Sequence, residues 1–361
     1  MKRIQHLQMY ILKMRPYIII TAIIALQTLL TGCIDEEHTG NSREDCFEAL
    51  WSTVDERYCF FDVAEDRYGL DWNAVHDKYK PMAEACESDA ELFDIMCEML
   101  KELRDGHVNL VSVYGTSYYW DWKLNHPINF SDSIQRNYLG NDFRLTNGIK
   151  YKELPDSIGY IYVESFGSDF SNNNLTIMLN NLKNCKGIVL DIRQNGGGML
   201  TAAEKLASVF TDERIHYGYI RHKTGKGHHD LSEPEELYLE KTKTSKWLRP
   251  VVLLTNRGVY SAANHFTMIM RELPNVYIMG DVTGGGSGMP LSRTLPNGWT
   301  IRFSACPLLD IDGEHTEFGI EPDRYVSMTE ADWNKGRDTM IESAREFILG
   351  CYSKISDKET E

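Results

Sequence analysis

Between Arg43 and Tyr58 apolar residues recur at three- and four-residue intervals, at Phe47, Leu50, Trp51 and Val54, and the spacing predicts an amphipathic helix. Leu92, Phe93, Met96, Met99, Leu100 and Leu103 repeat the pattern and predict a second helix over Ala90–Leu103. Together they predict a small helical subdomain over 44–104, in which Tyr58, Phe60, Phe61 and Trp72 read as core aromatics. Past Gly106 the period drops to two. Val108–Val113 alternates as a strand, and 114–155, rich in Tyr, Trp, Asn and Asp, predicts loops and short strands.

From Ser157 onward strand and helix patterns alternate. Strands are predicted at Gly159–Glu164, Gly187–Ile192, Arg214–Arg221, Pro250–Thr255 and Val276–Met279, and helices at Asn173–Leu182, Leu200–Phe210 and Ser261–Leu273. Two of the strands are wholly apolar, which implies an α/β fold with a largely parallel sheet covered on both faces. Pro296-Asn297-Gly298 marks a hairpin between Leu291–Leu295 and Trp299–Phe303. Asp332–Leu349 predicts a closing helix, and the charged Thr224–Lys246 segment a long surface loop.

The N-terminus has a different character. Lys2, Arg3, Lys13 and Arg15 precede an apolar run from Tyr17 to Leu30, short for a membrane span and suited to a signal peptide. The run ends in Leu30-Thr31-Gly32-Cys33, which resembles a bacterial lipobox and predicts cleavage after residue 32, with lipid on Cys33. Residues 33–43, with Asp35, Glu36 and Glu37, read as an acidic tether. The formal charge is −15; residues 1–32 hold four basic and no acidic groups, so the remainder carries −19. Such a chain has no general affinity for nucleic-acid phosphates, and nucleic acid is excluded as a partner. Seven further cysteines form neither a zinc pattern nor a dense disulfide framework and read as buried free thiols.

Three segments place reactive groups at the ends of regular elements. Asp191-Ile192-Arg193-Gln194-Asn195-Gly196-Gly197-Gly198 runs from an apolar strand through three glycines into a helix. Its backbone N–H groups suit a phosphate cradle or an oxyanion hole; a P-loop Lys-Ser/Thr and a dinucleotide spacing are both absent, which favours the oxyanion hole. Leu253–Ala263 again leads from strand to turn to helix, with Ser261 at the helix start. That Ser is either an N-cap or a hydroxyl placed where a developing oxyanion is stabilised. Arg104-Asp105-Gly106-His107 sets an imidazole at the boundary between subdomains. His265, four residues after Ser261, is a rival base on the same helix. His228-His229-Asp230 has no third spaced ligand and reads as a solvated turn rather than a metal site.

In order, Asp-Gly-His, the 191–198 segment, Tyr260-Ser261-Ala262-Ala263, Gly280-Asp281-Val282-Thr283-Gly284-Gly285-Gly286 and Gly319-Ile320-Glu321-Pro322-Asp323 resemble the tail-specific (C-terminal processing) serine peptidases and the tricorn core protease, over roughly residues 44–348. The resemblance implies a crotonase-like ββα spiral core over 105–349 with a tail at 350–361, and peptide-bond hydrolysis without metal or organic cofactor. It matches Ser261 to the nucleophile, and the N–H groups of Ala262 and of Gly197 or Gly198 to the oxyanion hole. The classical branch takes a Lys as base from a Thr-x-Gly-Lys-Gly loop. Here Gly286 holds that position and no Lys occurs between Ser261 and Lys335, so His107 becomes the base, as in the tricorn-like branch.

The orienting acid of that branch corresponds to Thr316; Glu317 is the nearest carboxylate, with Glu314 as an alternative. Asn264 stands where a Glu is common, and Gly106 where the tricorn motif has a Ser. The 49 residues between His107 and Ser157 are too few for the peptide-binding PDZ module many relatives carry. These features predict a lipid-anchored peptidase of a Gram-negative cell envelope, acting on protein or peptide substrates. The alternatives are a non-catalytic peptide-binding lipoprotein of the same fold and an esterase or amidase using the same pair.

Overall fold

Strands without polar alternation bury both faces, and three fully buried strands, Ile158–Val163, Gly187–Asp191 and Val251–Thr255, form the centre of the larger sheet. The computed structural model describes residues 40–358; the expected signal peptide and lipidated Cys33 lie outside them. The helices are α1 (Arg43–Arg57), α2 (Phe61–Tyr68), α3 (Trp72–Ala85), α4 (Asp89–Lys101), α5 (Asp132–Leu139), α6 (Asn172–Asn181), α7 (Leu200–Ala207), α8 (Ala262–Arg271), α9 (Glu330–Trp333) and α10 (Thr339–Lys358). The strands are β1 (Asn109–Ser112), β2 (Gly115–Thr116), β3 (Arg144–Thr146), β4 (Ile149–Glu153), β5 (Ile158–Val163), β6 (Gly187–Asp191), β7 (Ile215–Ile220), β8 (Glu235–Leu239), β9 (Val251–Thr255), β10 (Val276–Gly280), β11 (Gly288–Thr294), β12 (Thr300–Leu309) and β13 (Arg324–Tyr325).

One sheet has seven strands in the order β13-β10-β9-β6-β5-β4-β3, parallel from β13 to β5 and antiparallel beyond. Its two faces carry separate apolar cores, one under α6, α7 and α8 and one under α10. A second sheet runs β2-β1-β12-β7-β8, with β11 on β12, and its core is shared with α1–α4. Helix α1 starts on a capping box in which the Ser42 hydroxyl accepts from Asp45 N–H, while Asp45 accepts from Ser42 N–H. The mixed α/β class agrees with the sequence pattern.

Residues 61–85, between the two predicted helices, add α2 and α3. Three expectations change. The region 114–155 holds a helix, α5, besides short strands. The Thr224–Lys246 segment contains β8, paired with β7, and does not lie free in solvent: His228 Nε2 meets Asp55 at 2.7 Å and His229 Nδ1 meets Asp62 at 2.7 Å, joining the loop to α1 and α2. The single closing helix is two. Gly336 at φ +67° breaks it, and the Asp338 carboxylate accepts from Met340 and Ile341 N–H to start α10. No helix among the described residues is long and apolar enough to cross a membrane. The seven described cysteines are free thiols.

Candidate active site

Neighbouring parallel strands β6 and β9 end side by side and deliver the two chemical loops. Below them Arg193, fully buried, binds Asp191 at 2.6 Å and Asp338 at 3.0 Å and donates to Asn129 O, and Tyr160 donates to Asp191. Every charge in this group is partnered, as burial demands, and the group fixes the base of the 191–198 turn. Above it the Asn195 carbonyl accepts from Tyr260 N–H at 3.0 Å, which ties this turn to the one carrying Ser261.

Ser261 opens α8 with φ +56° and ψ −124°, a conformation that costs an L-residue about 1–3 kcal/mol. Its side chain caps no helix N–H. Instead Ser261 Oγ lies 2.9 Å from His107 Nε2, across 154 residues of sequence. The N-cap alternative therefore fails, and the hydroxyl and imidazole stand at proton-transfer distance. The Ser261 N–H donates to Gly285 O, so the glycine loop supports the strained residue from behind. A Cβ at Gly286 would lie 2.5 Å from the Tyr260 ring, which explains why no side chain occupies that position.

His107 is 3% exposed. Burial lowers its pKa below the usual imidazole value and Arg302 adds to this, whereas the nearby Asp105 carboxylate opposes it. The neutral imidazole is the favoured form. Asp105 accepts from His107 N–H at 2.6 Å and from Ser304 Oγ at 2.7 Å, joining the imidazole's backbone to β12. Sequence reasoning did not single out this residue. The available signal was an Asp two positions before the His, placed to accept its backbone N–H in an Asx-type turn.

Glu317 is buried close by, but its carboxylate accepts from Ser287 N–H at 2.7 Å and Gly288 N–H at 3.3 Å. Burial, then the charge of Asp105, pushes its pKa well above the carboxylate range, despite those donors. His107 Nδ1 has no hydrogen-bond partner among the described residues, so Glu317 does not hold the imidazole directly in this conformation. Glu314 is exposed on the turn that closes on Asp310. Asn264 donates to Thr316 O at 3.1 Å and accepts from Thr283 Oγ1 at 2.5 Å, linking α8 to both following loops. His265 contacts Glu204 and Tyr217 rather than the Ser261 hydroxyl, so it is not placed as the base.

The oxyanion candidates separate. Gly197 N–H donates to Asn195 Oδ1 at 2.9 Å and is occupied. A Cβ at Gly197 would lie 2.8 Å from Ser261 Cβ and 2.9 Å from Ala262 N, so this glycine serves close approach. Gly198 N–H and Ala262 N–H make no hydrogen bond among the described residues, and Ala262 begins α8, where the helix dipole adds to its donor strength.

Residues 157–326 match Peptidase family S41, and residues 40–101 the tricorn protease C1 domain. The carboxy-terminal processing protease CtpA of Bacillus subtilis is 30% identical over 177 residues, 48% of this chain and 36% of CtpA; the chain thus spans about a third of the curated relatives it matches. A solved structure from Parabacteroides merdae, named as a candidate peptidase, is 49% identical with a TM-score of 0.81, covering 86% of this chain and 98% of that one. Mature CPAF, at 11% identity, shares the fold with a TM-score of 0.65 over 86% of this chain and 96% of its own. With two family segments in order and a relative of nearly half identity covered almost end to end, the chain belongs to peptidase family S41.

Proposed function

We propose that this protein is a serine peptidase of the cell envelope that cleaves peptide bonds in exported or environmental proteins. The observation that carries the reading is the 2.9 Å contact between His107 Nε2 and Ser261 Oγ. Ser261 Oγ attacks the scissile carbonyl as His107 Nε2 takes its proton. The carbonyl oxygen, now an oxyanion, accepts from Gly198 and Ala262 N–H. Collapse breaks the C–N bond, His107 returns the proton to the leaving amine, and water repeats the two steps to release the acyl group. Asp105 acts as a positioning residue, fixing the His107 backbone and placing a negative charge where the imidazolium forms. Glu317 shapes the 287–288 turn beside it.

The basic, apolar and lipobox sequences at residues 1–33 support export and a lipid anchor at Cys33, in the outer membrane of a Gram-negative cell. Radiolabelled fatty acid is expected to enter the wild-type chain and not Cys33→Ala. For the activity, purified protein is incubated with denatured casein and with small aryl esters. Casein cleavage that disappears in Ser261→Ala supports the peptidase; ester hydrolysis alone reassigns the pair to an esterase.

A further inference from the structure

Four aromatic rings form an unbroken series that ends on the catalytic imidazole. Centroids lie 5.6 Å apart for Tyr118 and Trp120, 6.0 Å for Trp120 and Trp122, 4.4 Å for Trp122 and Tyr260, and 4.9 Å for Tyr260 and His107. Exposure rises outward, from 8% at Tyr260 through the half-buried Trp122 to 55% at Trp120 and 52% at Tyr118. The inner end is rigidly seated. A Cβ at Gly284 would lie 2.4 Å from the Trp122 ring, and the Trp122 carbonyl accepts from Arg257 Nε at 2.6 Å. Arg257 also donates to Thr283 O and Phe318 O, so Trp122 is coupled to the loops that support Ser261.

The outer rings border an open groove of about 750 Å³ that reaches Arg104. Of the charged groups lining it, Lys78 pairs with Glu102 at 2.6 Å and Lys101 with Glu98 at 2.5 Å, which leaves Arg104, over the Tyr68 ring at 4.3 Å, and Asp121. Those two are of opposite sign and add no net charge, so the larger unmatched feature is aromatic area. Half-exposed Trp and Tyr rings joined through Trp122 and Tyr260 to a reactive pair suit a binding surface.

We infer that the Tyr118–Trp120–Trp122 series is a substrate subsite for an aromatic or large aliphatic side chain on the peptide segment that leaves as the amine. This rests on the serine-peptidase reading. His107 hands its proton to the leaving nitrogen, so that segment departs past the imidazole, where the series begins; the oxyanion donors belong to the other loop, 195–198, and to the start of α8. An extended peptide advances about 3.4 Å per residue. Trp120, two ring steps beyond Tyr260, thus meets a side chain about two to four residues past the cut.

Two measurements test this separately from the peptidase reading. In a peptide library digested by the wild-type full chain, residues past each cut are identified by mass spectrometry. Trp, Tyr, Phe and Leu are expected to be enriched about tenfold over Gly at the second to fourth positions, an enrichment lost in Trp120→Ala and kept in Trp120→Phe. In parallel, fluorescein-labelled Ala-Phe-Ala-Tyr-Ala and its all-Ala counterpart are titrated against the Ser261→Ala chain by anisotropy. The aromatic peptide is expected to bind about tenfold tighter, and Trp120→Ala to abolish the difference. Cleavage or binding without aromatic preference, or preference unchanged by Trp120→Ala, overturns the subsite. Aromatic-selective binding with no Ser261-dependent cleavage supports the subsite and overturns the peptidase reading.

Discussion

The turns at 191–198 and 255–261 are built alike and used differently. Each leaves a fully buried strand, and each is organised by an asparagine side chain that accepts backbone N–H groups: Asn195 from Gly197, Asn256 from Gln194 and Gly258. Each also holds a non-glycine residue at positive φ, Gln194 at 64° and Ser261 at 56°. The first turn then continues through Gly197 and Gly198, at φ 101° and 138°, where no side chain resists. The second stops on Ser261, whose N–H donates to Gly285 O behind and whose carbonyl accepts from His265 N–H in α8 ahead. One turn presents N–H donors and the other a hydroxyl, and Ser261 takes its positive φ where that hydroxyl meets His107.

The sharpest break in the comparison comes from the second turn. Ser261→Ala removes the nucleophile and is expected to lower kcat by at least about 10⁴-fold in a peptide-cleavage assay. Next is the first turn. In Gly198→Ala the new Cβ would lie 2.3 Å from the Phe166 carbonyl carbon, at a φ unsuited to alanine, which displaces the donor; kcat is expected to fall by about 10²–10³-fold with the fold retained by circular dichroism.

A smaller effect sharpens the role of the groups facing His107. The imidazole is active when neutral, and burial lowers its pKa, so the acid limb of kcat/KM lies below the ordinary value of 6.5. Asp105 raises that pKa while Arg302 lowers it. Asp105→Asn is therefore expected to move the limb further toward acid and to reduce kcat, measured as a pH profile; an alkaline shift contradicts the assignment. The smallest effect isolates strain. Ser261→Gly removes the Cβ as well as the hydroxyl and is expected to unfold about 1 kcal/mol later than Ser261→Ala in urea, although both are inactive.

Legibility in the sequence followed burial. Strands β5, β6 and β9 are buried throughout and mostly apolar and show their place directly, whereas β8 carries Glu235 and Glu236 on a partly exposed strand and resembles a loop. Helix α3 was hidden by Pro81, which stands within it. The split between α9 and α10 depends on Asp338, whose carboxylate both starts α10 and binds buried Arg193, a contact spanning 145 residues that no local pattern carries. The approach of His107 to Ser261 was expected from motif order, which left Gly197 and Gly198 open as alternatives beside Ala262. The Asp105 contact with His107 N–H and the Asn195 contact with Gly197 N–H each span two residues and have a local signal, whereas the tie from Asp105 to Ser304 spans 199 and has none.

The central claim is that His107 activates Ser261. The most direct measurement is labelling of the native protein with a fluorophosphonate probe, with the adduct mapped by mass spectrometry. The account predicts a single adduct on Ser261 that forms at neutral pH and is lost or strongly slowed in His107→Ala. An adduct on another residue, or labelling of Ser261 at an unchanged rate without His107, would contradict it.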